Sequence, residues 1–366
     1  MKKLALAAAL CGASHIALAQ SSVQLYGIVD TGVEYLTNVG VSGKSLVRTS
    51  QLTGQMPSRW GLTGSEDLGG GTKAVFRLEN GFSVTNGQLG QGGRMFGRAA
   101  YVGLSSQLGT LTIGRQPEMV WTALLQADNI GAAAFSLVSF DPFLSAARED
   151  SSIAYVNRIG DFKVGATFSL GRDALAGCSG QAAGQGVSCH AWSGMLQYNG
   201  QDWGTSVAYD EQRGGETSNV TLIPSQSAIA FTSASDKDSR LLFDGFAKFG
   251  DLRLGAGWLY RRLRADRQSL QTNLFFVGAR YTVTASTMLD GQWVAFRSSV
   301  NGVSGNLAIA RVTYSFSKRT AVYAVAAHVF NGSVSTFSVS SSSPTPAAPI
   351  AGRGQTGMMV GVRETF

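Results

Sequence analysis

"SRWGLTGSEDLGGGTKAVFRLENGF", residues 58–82, decides the architecture. Trp60, Leu62 and Gly64 share one parity, and Arg59, Gly61 and Thr63 the other. After the turn-like "EDLGGG", Thr72, Ala74, Phe76 and Leu78 alternate with Lys73, Val75, Arg77 and Glu79. A period of two sends successive side chains to opposite faces. The stretch therefore reads as two strands joined by a tight turn, each with one apolar and one polar face.

The pattern recurs along the chain. Sixteen strand-like segments are predicted, at 23–35, 57–66, 72–84, 95–106, 109–116, 148–157, 160–171, 190–200, 202–211, 239–249, 251–262, 271–282, 284–297, 305–316, 318–330 and 354–366. Short connections such as "EDLGGG", "NGQD" and "SFSKR" alternate with longer ones rich in Gly, Ser and Pro, as at 172–189, 212–238 and 331–353. In an up-and-down meander every second connection lies at the same end, so one end carries tight turns and the other loops. All seven prolines fall outside these strands or at a strand start, where a missing N–H costs least. No linker divides the chain.

Composition separates this pattern from that of a soluble sandwich. Charged residues make up 14% of the chain, against about 25% in soluble domains. There are 46 glycines in 366 residues, well above the usual share of roughly 7%. The strands run to ten residues and more, whereas globular strands average about 5–6. No segment after the first twenty residues approaches the roughly 18 apolar residues of a membrane helix. A closed barrel is the strand architecture that satisfies every backbone group inside lipid, and a tilted strand of about ten residues covers its apolar band. Trp60 and Phe76 then face lipid or a neighbouring subunit, while Arg59 and Arg77 face water inside. The fold class is all-β, a 16-stranded antiparallel transmembrane barrel.

The start, "MKKLALAAALCGASHIALAQ", has Lys2 and Lys3 before an apolar run and Ala17-Leu18-Ala19 as a small-x-small cleavage site, the pattern of a secretory signal peptide over 1–19. Cys11 raises a lipoprotein alternative, but Leu10 stands where a small residue is needed. The mature domain is then 20–366, and the formal charge falls from +7 to +5 with the loss of Lys2 and Lys3. Two cysteines remain, Cys178 and Cys189. They are either two free loop thiols or a disulfide, and export favours the bridge.

"SSVQLYGIVDTGVEY", "SRWGLTGSEDLGGGTKAVFRLENGF", "RAAYVGLSSQLGTLTIGRQ" and the terminal "GVRETF" together resemble the general porins of Gram-negative outer membranes, in particular their β-proteobacterial and neisserial branch. The resemblance covers the whole mature chain, least closely in the long loops. It implies short periplasmic turns, long extracellular loops, a third loop (about 117–147) folded inward, and a homotrimer in the outer membrane. Phe366, with Val362, Val360 and Met358 on its face, looks like the terminal signature read by the outer-membrane assembly machinery; Glu364 departs from that pattern. Outer-membrane lipid and lipopolysaccharide are the implied surroundings, and small hydrophilic solutes and anions the implied permeants.

The family's basic constriction wall maps onto Arg59, Arg98 and Arg148. Lys73 and Arg77 share the inward parity of Arg59 and support them. Between Arg115 and Arg148 the third loop carries no Lys or Arg, and its acids are Glu118, Asp128 and Asp141. An acidic loop facing a basic wall predicts a field across the narrowest water, with modest anion preference. No nucleic-acid groove is expected, because Lys and Arg are dispersed along strands, and no cofactor or metal site, because no metal-ligand cluster or phosphate-binding Gly loop stands out. An enzyme is the main alternative class, a barrel hydrolase, yet His190 and His328 are the only histidines past the leader and no triad stands out. An adhesin using the exterior loops is the other alternative.

Overall fold

The computed structural model describes residues 22–180, 186–215, 218–223, 227–265, 268–341 and 347–366. The predicted signal peptide and the predicted mature start at Gln20 lie outside the described residues.

Sixteen antiparallel strands close into one barrel. They are β1 (Ser22–Val39), β2 (Arg59–Gly69), β3 (Thr72–Gly81), β4 (Ala99–Ser106), β5 (Gly109–Pro117), β6 (Arg148–Ile159), β7 (Phe162–Ser169) and β8 (Ala191–Asn199). The circle continues with β9 (Trp203–Arg213), β10 (Lys237–Phe249), β11 (Leu252–Ala265), β12 (Gln268–Thr282), β13 (Thr287–Ser298), β14 (Ser304–Ser315), β15 (Thr320–Asn331) and β16 (Gln355–Thr365). β1 closes it by pairing Ser22–Ile28 with β2 and Ile28–Leu36 with β16. Its upper part pairs with an extra strand, Lys44–Thr49, which sequence periodicity did not reveal. A two-stranded hairpin of Ser218–Val220 and Ile229–Phe231 is separate from the barrel sheet, and the chain after its first strand packs on inward-pointing Arg261, which donates to the Thr221 and Leu222 carbonyls.

One end of the barrel has only tight turns. At the other end, the connections 82–98, 118–147, 170–190, 214–236 and 332–354 are long, but β11 to β12 and β13 to β14 are joined by 266–267 and 299–303. The predicted alternation of short and long connections fails there; between β11 and β12 length goes into the strands instead, β10, β11 and β12 running for 13, 14 and 15 residues.

The outward parity is apolar, with Val23, Leu25, Val102, Leu254, Phe275 and Val360 exposed. Asp30 and Glu34 of β1 point inward and are fully buried. Phe366 pairs through its backbone with Gly27, at 2.9 and 3.0 Å. Its ring covers that glycine, where a Cβ would lie 2.2 Å from Cζ.

The buried core is the third loop packed against the inside wall. Two short helices, α1 (Met119–Leu124) and α2 (Phe143–Ala146), and the 3-10 turn Leu137–Ser139 give the loop its own structure. Phe135, Leu137, Phe140 and Leu144 are buried, each contributing about 1.5–3 kcal/mol of transfer free energy. Phe140 packs between Phe296 of β13 at 5.4 Å and Phe337 at 4.8 Å. The inward face is therefore not uniformly polar: Leu259, Phe276, Val294 and Phe296 share the inward parity and receive the loop. At Gly255 the loop backbone comes so close that a Cβ would lie 2.1 Å from the Ala127 carbonyl oxygen. The absence of a side chain there lets the loop lie flat on the wall.

Candidate functional site: the basic wall and the third loop

Neighbouring strands bring four arginines to one place. Arg59 opens β2, Arg77 lies in β3, Arg98 immediately precedes β4 and Arg148 opens β6. Register sets Thr63 opposite Arg77, Gly61 opposite Glu79 and Glu79 opposite Ala99, so the inward side chains converge. Glu79 is the hub. Arg98 Nε donates to its Oε1 at 2.6 Å, Arg77 Nη2 and the Tyr26 hydroxyl (2.6 Å) donate to its Oε2, and Arg59 Nε stands 4.0 Å away. Tyr26 also accepts from Arg77 Nε at 2.7 Å. Arg148 has no carboxylate partner among the described residues; it donates to the carbonyls of Arg98 (3.0 Å) and Ser145 (3.2 Å).

These arginines line one chamber of about 510 Å³. Met119, Trp121, Thr122 and Leu125 of the third loop, with Gly131 and Ala132, form its other side. Arg77 keeps 40% of its side chain exposed to this space. Lys73 does not join it. Four residues toward the turn end, about 13 Å along the strand, it is exposed and faces the level of Asp67 and Ser105.

Glu118, Asp128 and Asp141 do not line the chamber. Glu118 is fully buried and caps α1, accepting from the amides of Val120 and Trp121, both at 2.5 Å. Burial, with Asp210 and Glu149 nearby, pushes its carboxyl well above the usual range. Asp128 accepts from Gln292 Nε2 at 2.9 Å and from the Ile130 amide at 3.0 Å, and burial raises its carboxyl too. Asp141 is held by Arg240 Nε at 3.2 Å and Arg261 Nη1 at 3.1 Å. Asp128 and Asp141 thus fasten the loop to the barrel while Glu118 caps its helix, and the expected field between an acidic loop and a basic wall becomes a one-sided basic wall above a neutral loop.

Sequence reasoning left out the groups that do the fastening. Arg253 donates to Asn129 Oδ1 and the Gln126 carbonyl, Arg280 to the Asn129 carbonyl at 2.5 Å, and Arg311 to the Ile130 carbonyl at 3.2 Å. Inward parity marks all three residues; which loop atoms they reach has no signal in the sequence. Glu79 also has the inward parity of Arg77, and this was the available clue to its role.

In the connection between β7 and β8, Cys178 and Cys189 form a disulfide. The histidines stand outside the chamber: His190 packs edge-on against Phe168, and His328 shares a hydrogen bond with the Thr356 hydroxyl at 2.8 Å.

A family model described as Gram-negative porin matches residues 5–333. An outer membrane porin of Bordetella pertussis is 44% identical over 145 residues, a match spanning 36% of this chain and 38% of that protein. Outer membrane porin protein 32 of Delftia acidovorans is 28% identical across the full length of both chains. Among solved structures, an anion-selective porin from Comamonas acidovorans superposes with a TM-score of 0.78 at 23% identity, covering 95% of this chain and 100% of that one.

Proposed function

The chain belongs to the Gram-negative porin family, and we propose that its outer-membrane channel passes small hydrophilic solutes with a modest preference for anions. One observation carries the preference: Arg59, Arg77, Arg98 and Arg148 face a single chamber in which Glu79 is the only opposing carboxylate among the lining residues. Lys163 of β7 also lines it, so the excess is four positive charges. At about 7 Å in water, one unit charge acts on an ion with roughly 0.6 kcal/mol, so the wall supplies about 2.4 kcal/mol before screening by salt. Unscreened that is about fiftyfold, and screening by salt brings the preference to about tenfold or less. The chamber has room for hydrated ions, and cations are disfavoured without being excluded.

The working unit is a homotrimer. The outward face of β14, β15 and β16 carries the small side chains Ala310, Ala324 and Ala326 between Val312, Val322 and Val360, forming a shallow apolar groove that continues onto Val33 of β1. Small residues let backbones approach closely within lipid, and that favours protein rather than acyl chains on this face. Phe366 is the residue proposed to present the end of the chain to the assembly machinery. A catalytic role is not proposed, since porins act as channels and the chamber brings together arginines rather than a nucleophile and a base.

The test is electrical. Purified protein in a planar bilayer under a salt gradient should conduct, with a zero-current potential of the sign for anion preference. A closed barrel, or a potential of cation sign, would refute the proposal.

A further inference from the structure

The chamber has two unlike sides. On the barrel side stand Arg59, Arg77, Arg98 and Arg148. The third loop opposes them with Met119, Trp121, Leu125 and Ala132, and no charged residue of the loop joins the lining. Trp121 lies in α1 and Leu125 is its C-cap, one helical turn on, so their side chains share a face. Leu125 is the ridge of that face. It keeps 51% of its surface open, whereas Leu124, Leu137 and Leu144 of the same loop are buried. Seating the loop uses those three leucines and leaves this one in the channel water.

A single leucine on an outer protein surface needs no explanation. Here a solute in the chamber stands between it and the arginines. Inorganic anions keep their water and gain nothing from Leu125 or Trp121. A carboxylate carried on a hydrocarbon body gains on both sides. Guanidinium groups give it charge-assisted hydrogen bonds, and the loop face takes its apolar area out of water. Small-molecule sites combine an apolar lining with a few placed polar groups, and the chamber, at about 510 Å³, has that composition and size.

We propose that the chamber recognises amphiphilic monocarboxylates, with the carboxylate on the arginine wall and an aryl or alkyl body against Leu125 and Trp121. The proposal rests on the anion-preferring channel reading and names the class of anion which that reading leaves open. Dicarboxylates and sugar phosphates fit less well, since a second charge or a row of hydroxyls would have to shed water against the loop face. Cationic amphiphiles find no anchor. The one carboxylate of the lining, Glu79, is taken up by Arg77, Arg98 and Tyr26.

The experiment follows chloride current through the full protein in a planar bilayer at neutral pH while phenylacetate, acetate, benzyl alcohol or benzylammonium is added to both sides. Phenylacetate should reduce the current with a half-effect concentration about tenfold below that of acetate. Benzyl alcohol and benzylammonium should have no effect in that range. Leu125→Gln should raise the phenylacetate value about fivefold and the acetate value less than about twofold, and Leu125→Met should keep most of the affinity. Because Leu125 is half-exposed, these substitutions leave the buried contacts of the loop in place. Equal potency of acetate would reduce the chamber to a charge filter, and equal potency of benzyl alcohol would mean that the arginines do not anchor the ligand. An unmoved phenylacetate value in Leu125→Gln would remove the loop face from recognition; each of these outcomes overturns the proposal. A parent channel without an anion-sign potential in chloride alone refutes the underlying reading, whereas an anion-preferring channel indifferent to the phenyl group refutes only this one.

Discussion

Glu79 tempers the basic wall, because it is the carboxylate that Arg59, Arg77 and Arg98 share. Replacing it with Gln removes one negative charge from the chamber and frees the Arg77 guanidinium toward water. Anion preference should rise about threefold, the equivalent of roughly 0.6 kcal/mol, as read from permeability ratios under a salt gradient; an unchanged or reduced ratio would mean that the wall does not sense this charge. The arginines themselves were half legible in the sequence. Period-two parity sends Arg59 and Arg77 inward, and family resemblance singles out Arg98 and Arg148. Parity says nothing of height, however, and Lys73 shares the parity of Arg77 while standing near the rim. Nor does sequence reveal which acids neutralise which bases: Asp141 is a loop acid whose partners, Arg240 and Arg261, are about a hundred residues away.

The third loop is the element on which the chamber depends, and its attachment can be loosened without touching the strand ladder. Asp141→Asn removes two charge-assisted hydrogen bonds, a loss of about 1–3 kcal/mol, while Asp238 still compensates Arg240 and Arg261. Open-channel current noise should increase and heat resistance of the barrel should stay the same; a quiet channel would show that Asp141 does not hold the loop. Gly255→Val should act similarly, since its side chain would collide with the Ala127 carbonyl, an overpacking cost of about 1–3 kcal/mol. Acidity should matter as well. Burial raises the Glu118 and Asp128 carboxyls, so their contribution to a seated loop is fully present below the ordinary carboxylate range and is lost as pH rises through the raised values. Noise should therefore grow from mildly acidic to alkaline buffer, and Glu118→Gln should flatten the trend; a pH-independent record would contradict this. Strand positions were legible to within a few residues because each has a clear apolar parity. The Lys44–Thr49 strand was not, since it is a six-residue extension paired only to the upper part of β1. The seating of the third loop was visible only as an apolar run with no bases, since its receptors, Leu259, Phe276 and Phe296, look like any other inward strand residues.

At the scale of the whole molecule, a closed barrel carries an outward face of small residues on which barrels are proposed to meet and a basic chamber proposed to favour anions. Ala324→Trp with Ala326→Trp would place bulk where barrels are proposed to meet, and mild cross-linking should then yield mainly monomer while conductance per barrel is kept; an undisturbed trimer would place the interface elsewhere. The most direct test of the central claim is the zero-current potential across a planar bilayer under a salt gradient, for the parent protein, for Arg59→Gln/Arg98→Gln/Arg148→Gln, and for the outward-facing control R262Q/R264Q/R297Q. The chamber triple would leave Arg77 balanced by Glu79 and Lys163 as the one further cation of the lining, with Glu118, Asp128 and Asp141 turned away from the water. Its potential should fall most of the way toward zero and keep its sign rather than reverse. In the parent and the control the anion-sign potential should persist, diminishing in both as salt approaches 1 M, where the Debye length is about 3 Å. Equal shifts in both triple variants, or none in the chamber triple, would contradict the account, since overall charge rather than this wall would then set selectivity.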